Sequence, residues 1–173
     1  YRERPVDTVV DHLEHLRKKH GTSTFYFSQD SVAPKTLLKL ADRLVDRQVD
    51  LGWATDLKPE KYLTQERAER LRRSGAVACA LGVESGSQRV LDLIDKGAPV
   101  PVVGDVIDRL AKAGIAAEAM CFTDFPTETK SEAIETLEFL DEKREKLGLF
   151  IVGEFGLTHG ALVAQNPENV GVE

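Results

Sequence analysis

Four times along the sequence a helical pattern closes on a basic residue and a glycine, and an apolar run opens at once. The four junctions are KKHG before TSTFYF, RRSG before AVACALGV, AKAG before IAAEAMCF, and EKLG before LFIVGEF. No other feature restricts the fold as tightly, because a helix stop joined to a strand start every ~35–40 residues is the length of one helix plus one strand. Gly21, Gly75, Gly114 and Gly148 are therefore expected just past helix ends, in the left-handed conformation that a residue without Cβ adopts freely. RQVD before LGWAT supplies one further helix-to-strand junction without a glycine at the stop.

The helices can be drawn from their apolar spacing. Val6, Val9, Val10, Leu13 and Leu16 make one face of a helix over 5–19. Pro34 suits a first turn, with Leu37, Leu38, Ala41, Leu44 and Val45 following on one side. Helices follow from Thr64, over 88–94 and over 102–113, with Pro99 and Pro101 breaking the last two apart. Thr129 and Glu132 form a capping box ahead of Ala133, Ile134, Leu137 and Leu140, for a longer helix to about residue 146. The runs VACALGV and LFIVGEF are almost wholly apolar, as in parallel strands covered on both faces. Helix, four strand-helix units and a final strand make an α/β fold in one domain over 1–173, with no linker or composition shift.

Composition removes several functions. With 23 Lys and Arg against 29 Asp and Glu, the net charge of −6 disfavours nucleic acid or an anionic membrane as partner. The longest apolar run, from Gly75 to Val83, is far short of the ~20 residues of a membrane span. Cys79 and Cys121 are the only cysteines, too few for a disulfide scaffold or a four-thiolate metal site, and they point to a reducing, cytoplasmic setting. Each sits inside an apolar strand, where a buried inert thiol is expected.

Ligands of parallel α/β folds bind beyond the carboxyl ends of the strands. The polar residues there are Ser28, Gln29 and Asp30; Thr55 and Asp56; Glu84, Ser85 and Gly86; Thr123 and Asp124; and Glu154. Glu84 is the strongest candidate, since it closes an apolar strand and precedes a Ser-Gly-Ser helix start. Its carboxylate can accept two ribose hydroxyls while the adjacent backbone N–H groups take a carboxylate or phosphate; alternatively it is only a charge favourable to the helix dipole. Lys96, after the short helix, can reach an anionic ligand or simply compensate helix-terminal carbonyls. His12 and His15 read as solvated, and His159 has no evident acid partner.

The string ALGVESGSQRVLDLIDKG, residues 80–97, closely resembles the fourth-strand segment of radical S-adenosylmethionine enzymes, of the branch often fused to a cobalamin-binding domain. Other segments agree in order. YRERPVDTVVDHLEHL resembles the stretch after the cluster loop, FYFSQDS the second-strand end, DFPTET the fifth-strand Gly-Phe-Pro-Gly-Glu-Thr, and ALVAQNPENVGV the segment after the sixth strand. The resemblance implies a partial (β/α)6 TIM-like barrel lacking its first strand and cluster loop. In the family, a 4Fe-4S cluster cleaves S-adenosylmethionine to a radical that abstracts hydrogen from substrate.

By position, Glu84 meets the adenosyl moiety with Ser85 beside it, and Lys96 pairs with the methionine carboxylate. Gln29 and Asp30 approach the methionine amino group or the substrate. The cluster ligands would lie outside this segment, cobalamin would be held by a separate N-terminal domain, and the small-molecule or peptide substrate is not legible.

The sequence departs from the family pattern at three places. Gln29 stands for an acid, Asp124 and Thr127 stand for two glycines, and the Cys-x-x-x-Cys-x-x-Cys loop is absent. The expectation is therefore a radical enzyme as parent, with this segment inactive alone and self-associating through the uncovered edge of its first strand. The alternatives are a non-catalytic binding or scaffold module on the same barrel, or an unrelated barrel lyase or hydrolase with Glu84 or Asp30 as general base.

Overall fold

The computed structural model describes residues 3–29, 32–158 and 160–171. Its elements alternate as the junctions predict: α1 (Val6–His20), β1 (Thr24–Phe27), α2 (Pro34–Asp46), β2 (Gly52–Leu57), α3 (Gln65–Arg73), β3 (Ala76–Glu84), α4 (Gln88–Leu93), α5 (Val100–Ala113), β4 (Ala116–Thr123), α6 (Lys130–Lys143) and β5 (Leu147–Glu154). A short α7 (Leu162–Gln165) and a 3-10 turn (Pro167–Val170) follow. The five strands are all parallel and lie in chain order, β1-β2-β3-β4-β5, the wall of an open barrel.

The core lies between the sheet and its helices. Cys79, Leu81 and Val83 on β3 join Trp53 on β2 and Ala117, Ala119 and Cys121 on β4, under Leu44 of α2, Leu71 of α3 and Ile107 and Leu110 of α5. Trp53 is wholly buried, and its indole N–H donates to the Ser74 carbonyl at 3.0 Å. Alternation sends Ala78, Ala80, Gly82 and Glu84 to the opposite, concave face. No helix among the described residues is long and apolar enough to cross a membrane.

Helix ends show where glycine reasoning holds. Gly21 and Gly114 cap α1 and α5 at φ 66° and 75°, and Gly75 has φ 97°. A Cβ on Gly75 would lie 1.9 Å from the Leu51 carbonyl oxygen, so no other residue fits there. Gly148 does not cap a helix: it lies inside β5, and α6 instead tightens into a 3-10 turn over Arg144–Lys146. Two caps fall on residues that give no such signal, Gln48 after α2 and Asp95 after α4, at φ 53° and 50°.

Two apolar patterns also resolve differently. β5 is not covered on both faces: as an edge strand it leaves Leu149, Phe150 and Ile151 about half exposed. On α6 the capping box is present, but the buried face is Glu132, Thr136, Phe139 and Leu140, while Ile134 and Leu137 are exposed. Thr136 turns inward because its hydroxyl satisfies the turn after β3, and that rotation carries Ile134 and Leu137 outward. Leu16 and Val45 likewise lie on the outer flanks of α1 and α2.

Candidate functional site

The end of β3 is shaped by its backbone. The pairing with β4 slips between Gly82 and Glu84, and Glu84 itself adopts φ 68°, a conformation that costs ~1–3 kcal/mol for a residue with a Cβ. This local distortion ends the regular pairing at the residue whose carboxylate lines the concave face.

Lys96 arrives by a different device. Asp95 takes the left-handed position after α4 and donates its N–H to Asp92, while the Lys96 N–H reaches the Leu91 carbonyl at 3.0 Å. This pair of bonds is a Schellman closure, and it turns the chain back over the strand ends. The Lys96 ammonium then donates to Glu84 Oε1 at 2.8 Å. The two side chains lie on Gly82: a Cβ there would come 2.5 Å from Glu84 Oε1 and 2.8 Å from Lys96 Nζ. Gly82 thus leaves the space in which the ion pair lies against the sheet.

The pair borders a cavity of about 410 Å³ whose walls include Ser28, Gln29, Asp56, Lys58 and Met120. Gln29 reaches it from β1 and donates its amide to Thr55 Oγ1, which is fully buried. Asp30 lies outside the described residues, as does His159. Along β4, Phe122 leads into a neighbouring cavity of about 660 Å³. There Phe122, Phe125 and Phe155 pack against one another with ring centroids 4.8–5.8 Å apart.

Ser85 faces away from both cavities. It is buried, its hydroxyl meets Thr136 Oγ1 at 3.1 Å, and it accepts the Ser87 N–H at 3.0 Å. The Gly86 N–H donates to Thr136 Oγ1 at 2.9 Å. The backbone donors expected to face an anion at the Ser-Gly-Ser turn are therefore spent, Ser85 and Ser87 within the turn and Gly86 on α6. Arg89 completes the clasp by forking onto both carboxylate oxygens of Glu132. Arg89, together with the Thr129 N–H and hydroxyl, holds the Glu132 carboxyl well below the usual carboxylate range.

The remaining candidates separate clearly. Burial pushes both thiols up to about 12, so Cys79 and Cys121 are inert at neutral pH. Cys79 is in register with Ala117, four residues before Cys121, so the two cysteines stand ~14 Å apart. Among the described residues no three His, Cys, Asp or Glu side chains converge to hold a metal ion. The described residues therefore do not fit a 4Fe-4S cluster. His12 is exposed and pairs with Arg4. Sequence reasoning missed the sites of Tyr26 and Lys58, and placed Asp56 on the rim without its partner: the Tyr26 hydroxyl donates to Asp56 Oδ1 at 2.8 Å. That hydrogen bond, ahead of all other causes, pushes the Tyr26 phenol up to about 12. Alternation along β1 and β2 is the signal that could have brought the two together.

Residues 1–140 match the family model described as the Radical SAM superfamily. The chain belongs to this superfamily. It is 24% identical over 141 residues to an uncharacterized methyltransferase of Pyrococcus horikoshii, covering 80% of this chain and 30% of that protein. It is 28% identical over 141 residues to the anaerobic magnesium-protoporphyrin IX monomethyl ester cyclase of Rubrivivax gelatinosus, covering 80% of this chain and 25% of that one. The chain thus spans under a third of the length of these relatives.

Among solved structures, the radical S-adenosylmethionine methyltransferase TsrM of Kitasatospora setae, with cobalamin and a [4Fe-4S] cluster bound, superposes with a TM-score of 0.73. It is 15% identical, and the match covers 88% of this chain and 31% of that one, so the likeness speaks for the fold. The five parallel strands alternating with helices thus match part of the radical SAM TIM-like barrel.

Proposed function

We propose that this radical SAM chain is the S-adenosylmethionine-holding wall of a longer radical enzyme. The observation that carries the reading is the Glu84–Lys96 pair lying over Gly82 at the lip of the cavity. An acceptor of two hydroxyls and a donor to a carboxylate stand side by side, over the one floor position, Gly82, that carries no Cβ. Glu84 accepts the ribose hydroxyls, Lys96 pairs with the methionine carboxylate, and Gln29 with Asp30 approach the amino group or the substrate. Ser85 acts through the backbone, by fixing the turn from which Glu84 departs. The apolar ring cluster of Phe122, Phe125 and Phe155 is the neighbouring surface on which a planar base can stack.

When bound, S-adenosylmethionine supplies the adenosyl group that the family uses to begin radical chemistry. The chain's own part is to bind, orient and shield. Ligands for a 4Fe-4S cluster, and cobalamin if it is used, belong to other parts of the longer protein. The substrate and reaction type of that protein are open among the family's many chemistries. The scaffold alternative drew on the replaced glycines. Asp124 and Thr127 nevertheless hold φ 65° and 68°, the conformation glycine would take, so the loop path itself offers that alternative no support.

The test is titration of S-adenosylmethionine into the chain, followed by NMR or calorimetry, with Glu84→Ala and Lys96→Ala compared. A charge-assisted hydrogen bond is worth ~1.5–3 kcal/mol. Each substitution should therefore weaken binding roughly 10- to 150-fold. Unchanged affinity in a folded Glu84→Ala chain would refute the assignment.

A further inference from the structure

The concave face beside the Glu84–Lys96 pair holds a second polar arrangement, made of residues not assigned to the cofactor above. On β3 the cavity is floored by the small residues Ala80 and Gly82, which leaves it open. Asp56 stands one strand away, in register with Ala80, and it lines the same cavity. Its Oδ1 is fixed by the Tyr26 hydroxyl, whose own side chain is half exposed on that face. Hydrogen bonding from Tyr26 therefore orients Asp56 and leaves Oδ2 available to accept.

Charge accounting separates Asp56 from the other ionised groups of the cavity. Lys96 neutralises Glu84 at 2.8 Å. Lys58 has Glu60 as its carboxylate partner, at 3.9 Å. Among the described residues no cation lies within ion-pair distance of Asp56. Glu118, in register with Ala80 on the other side, adds negative potential across the same row. A carboxylate held in one orientation, on an open floor and without an ion-pair partner among the described residues, is matched by a cationic donor. An anionic group would be repelled.

We infer that the Tyr26–Asp56 pair selects the substrate of this cavity, and that the substrate presents a cationic nitrogen, an ammonium or guanidinium group, to Asp56. The inference rests on the proposed reading of this cavity as the S-adenosylmethionine site of a radical enzyme, and it adds the substrate class that reading leaves open. Tyr26 keeps its proton throughout the neutral range, so it donates to Asp56 and does not compete for the cation. Asp56 is the specificity-determining residue, and Tyr26 is a positioning residue acting through it.

The experiment uses methylguanidinium as probe, titrated into chain carrying ¹³C-labelled tyrosine. The chain has three tyrosines, and Tyr26→Phe assigns the signal of interest. Methylguanidinium should shift the Tyr26 resonance saturably, and Asp56→Asn should abolish that shift. Neutral N-methylurea, of similar shape, should leave the resonance in place. Probe binding to Tyr26→Phe, read by calorimetry, should weaken about fivefold. An equal response to the urea, or retained binding in Asp56→Asn, overturns the inference.

S-adenosylmethionine titrated into Asp56→Asn separates this inference from the cofactor reading. Affinity within twofold of the parent chain supports Asp56 as a substrate residue, and a tenfold loss would reassign it to the cofactor and overturn the proposal. Failure of Glu84→Ala to weaken S-adenosylmethionine would sink the cofactor reading while leaving the methylguanidinium result standing.

Discussion

Gly86 gives a sharp test of how the site is held, because its backbone is ordinary and only the space around it forbids a side chain. A Cβ at Gly86 would meet the Glu135 carbonyl oxygen at 2.6 Å and the Thr136 Cα at 2.7 Å. Both atoms are main chain of α6, so no side chain can swing aside. Ordinary contact begins near 3.5 Å, so α6 and the turn after β3 must part by most of an ångström. Overpacking of this kind costs ~1–3 kcal/mol. The same movement stretches the 2.9 Å bond from the Gly86 N–H to Thr136, a loss of ~1 kcal/mol.

The stiffer unfolded chain of an Ala variant returns ~0.4–1 kcal/mol. Gly86→Ala should therefore destabilise the fold by about 1–3.6 kcal/mol, lowering the melting temperature by roughly 2–14 °C in a chain of this size. Circular dichroism during thermal and urea unfolding reads both quantities. Gly153→Ala is the control: nothing lies within 4 Å of its Cβ position, and alanine should be neutral or slightly stabilising there. If Gly86→Ala is within 0.5 kcal/mol of the parent, the close approach of turn and helix does not exist in solution, and the account of how Glu84 is positioned falls with it.

Two further outcomes follow from the same network and its neighbour. The Glu132 carboxyl is held low in the fold, so its contribution is complete above its unfolded value near ~4.3 and is lost as pH falls through the lower folded value. Glu132→Gln should lower stability at pH 7, and the gap to the parent should narrow steadily below about pH 4 in urea midpoints; a constant gap would contradict the Arg89–Glu132 assignment. Asp124→Gly should gain roughly 0.5–1 kcal/mol by relieving the left-handed backbone. Thr127→Gly should come out near neutral, because it also removes two hydroxyl hydrogen bonds of 3.3 Å, from Arg89 and to Val170. Equal gains at both positions in thermal unfolding would show those bonds to be empty of energy.

Much of the fold was legible because local rules and tertiary packing agree. Gly21, Gly75 and Gly114 mark stops that the chain makes for steric reasons, and the Thr129 and Glu132 capping box forms as spaced. Legibility failed where a different residue took glycine's role or where burial depended on a distant partner. Gln48 and Asp95 adopt left-handed φ without a glycine to announce it. Ile134 and Leu137 lost the inner face of α6 to Thr136, because a buried turn 50 residues earlier needed a hydroxyl. At the site, the strand end and the family string single out Glu84 and Lys96 but not their contact, and they do not say where Ser85 points. Its neighbours suggest a ligand loop, whereas its hydroxyl faces α6.

The sequence by itself determined the alternation of helix and strand, the parallel sheet and the rim on which chemistry sits, since periodicity, caps and turn residues are properties of short segments. Its two cysteines also settled that this chain carries no cluster loop. Only the tertiary structure decided which rim groups meet. Lys96 reaches Glu84 because a Schellman turn folds back over Gly82, and Tyr26 reaches Asp56 because two strands 30 residues apart lie in parallel register. Those pairings depend on through-space geometry that no local pattern encodes. They turn a row of polar residues into a cavity with one neutralised end and one acidic end.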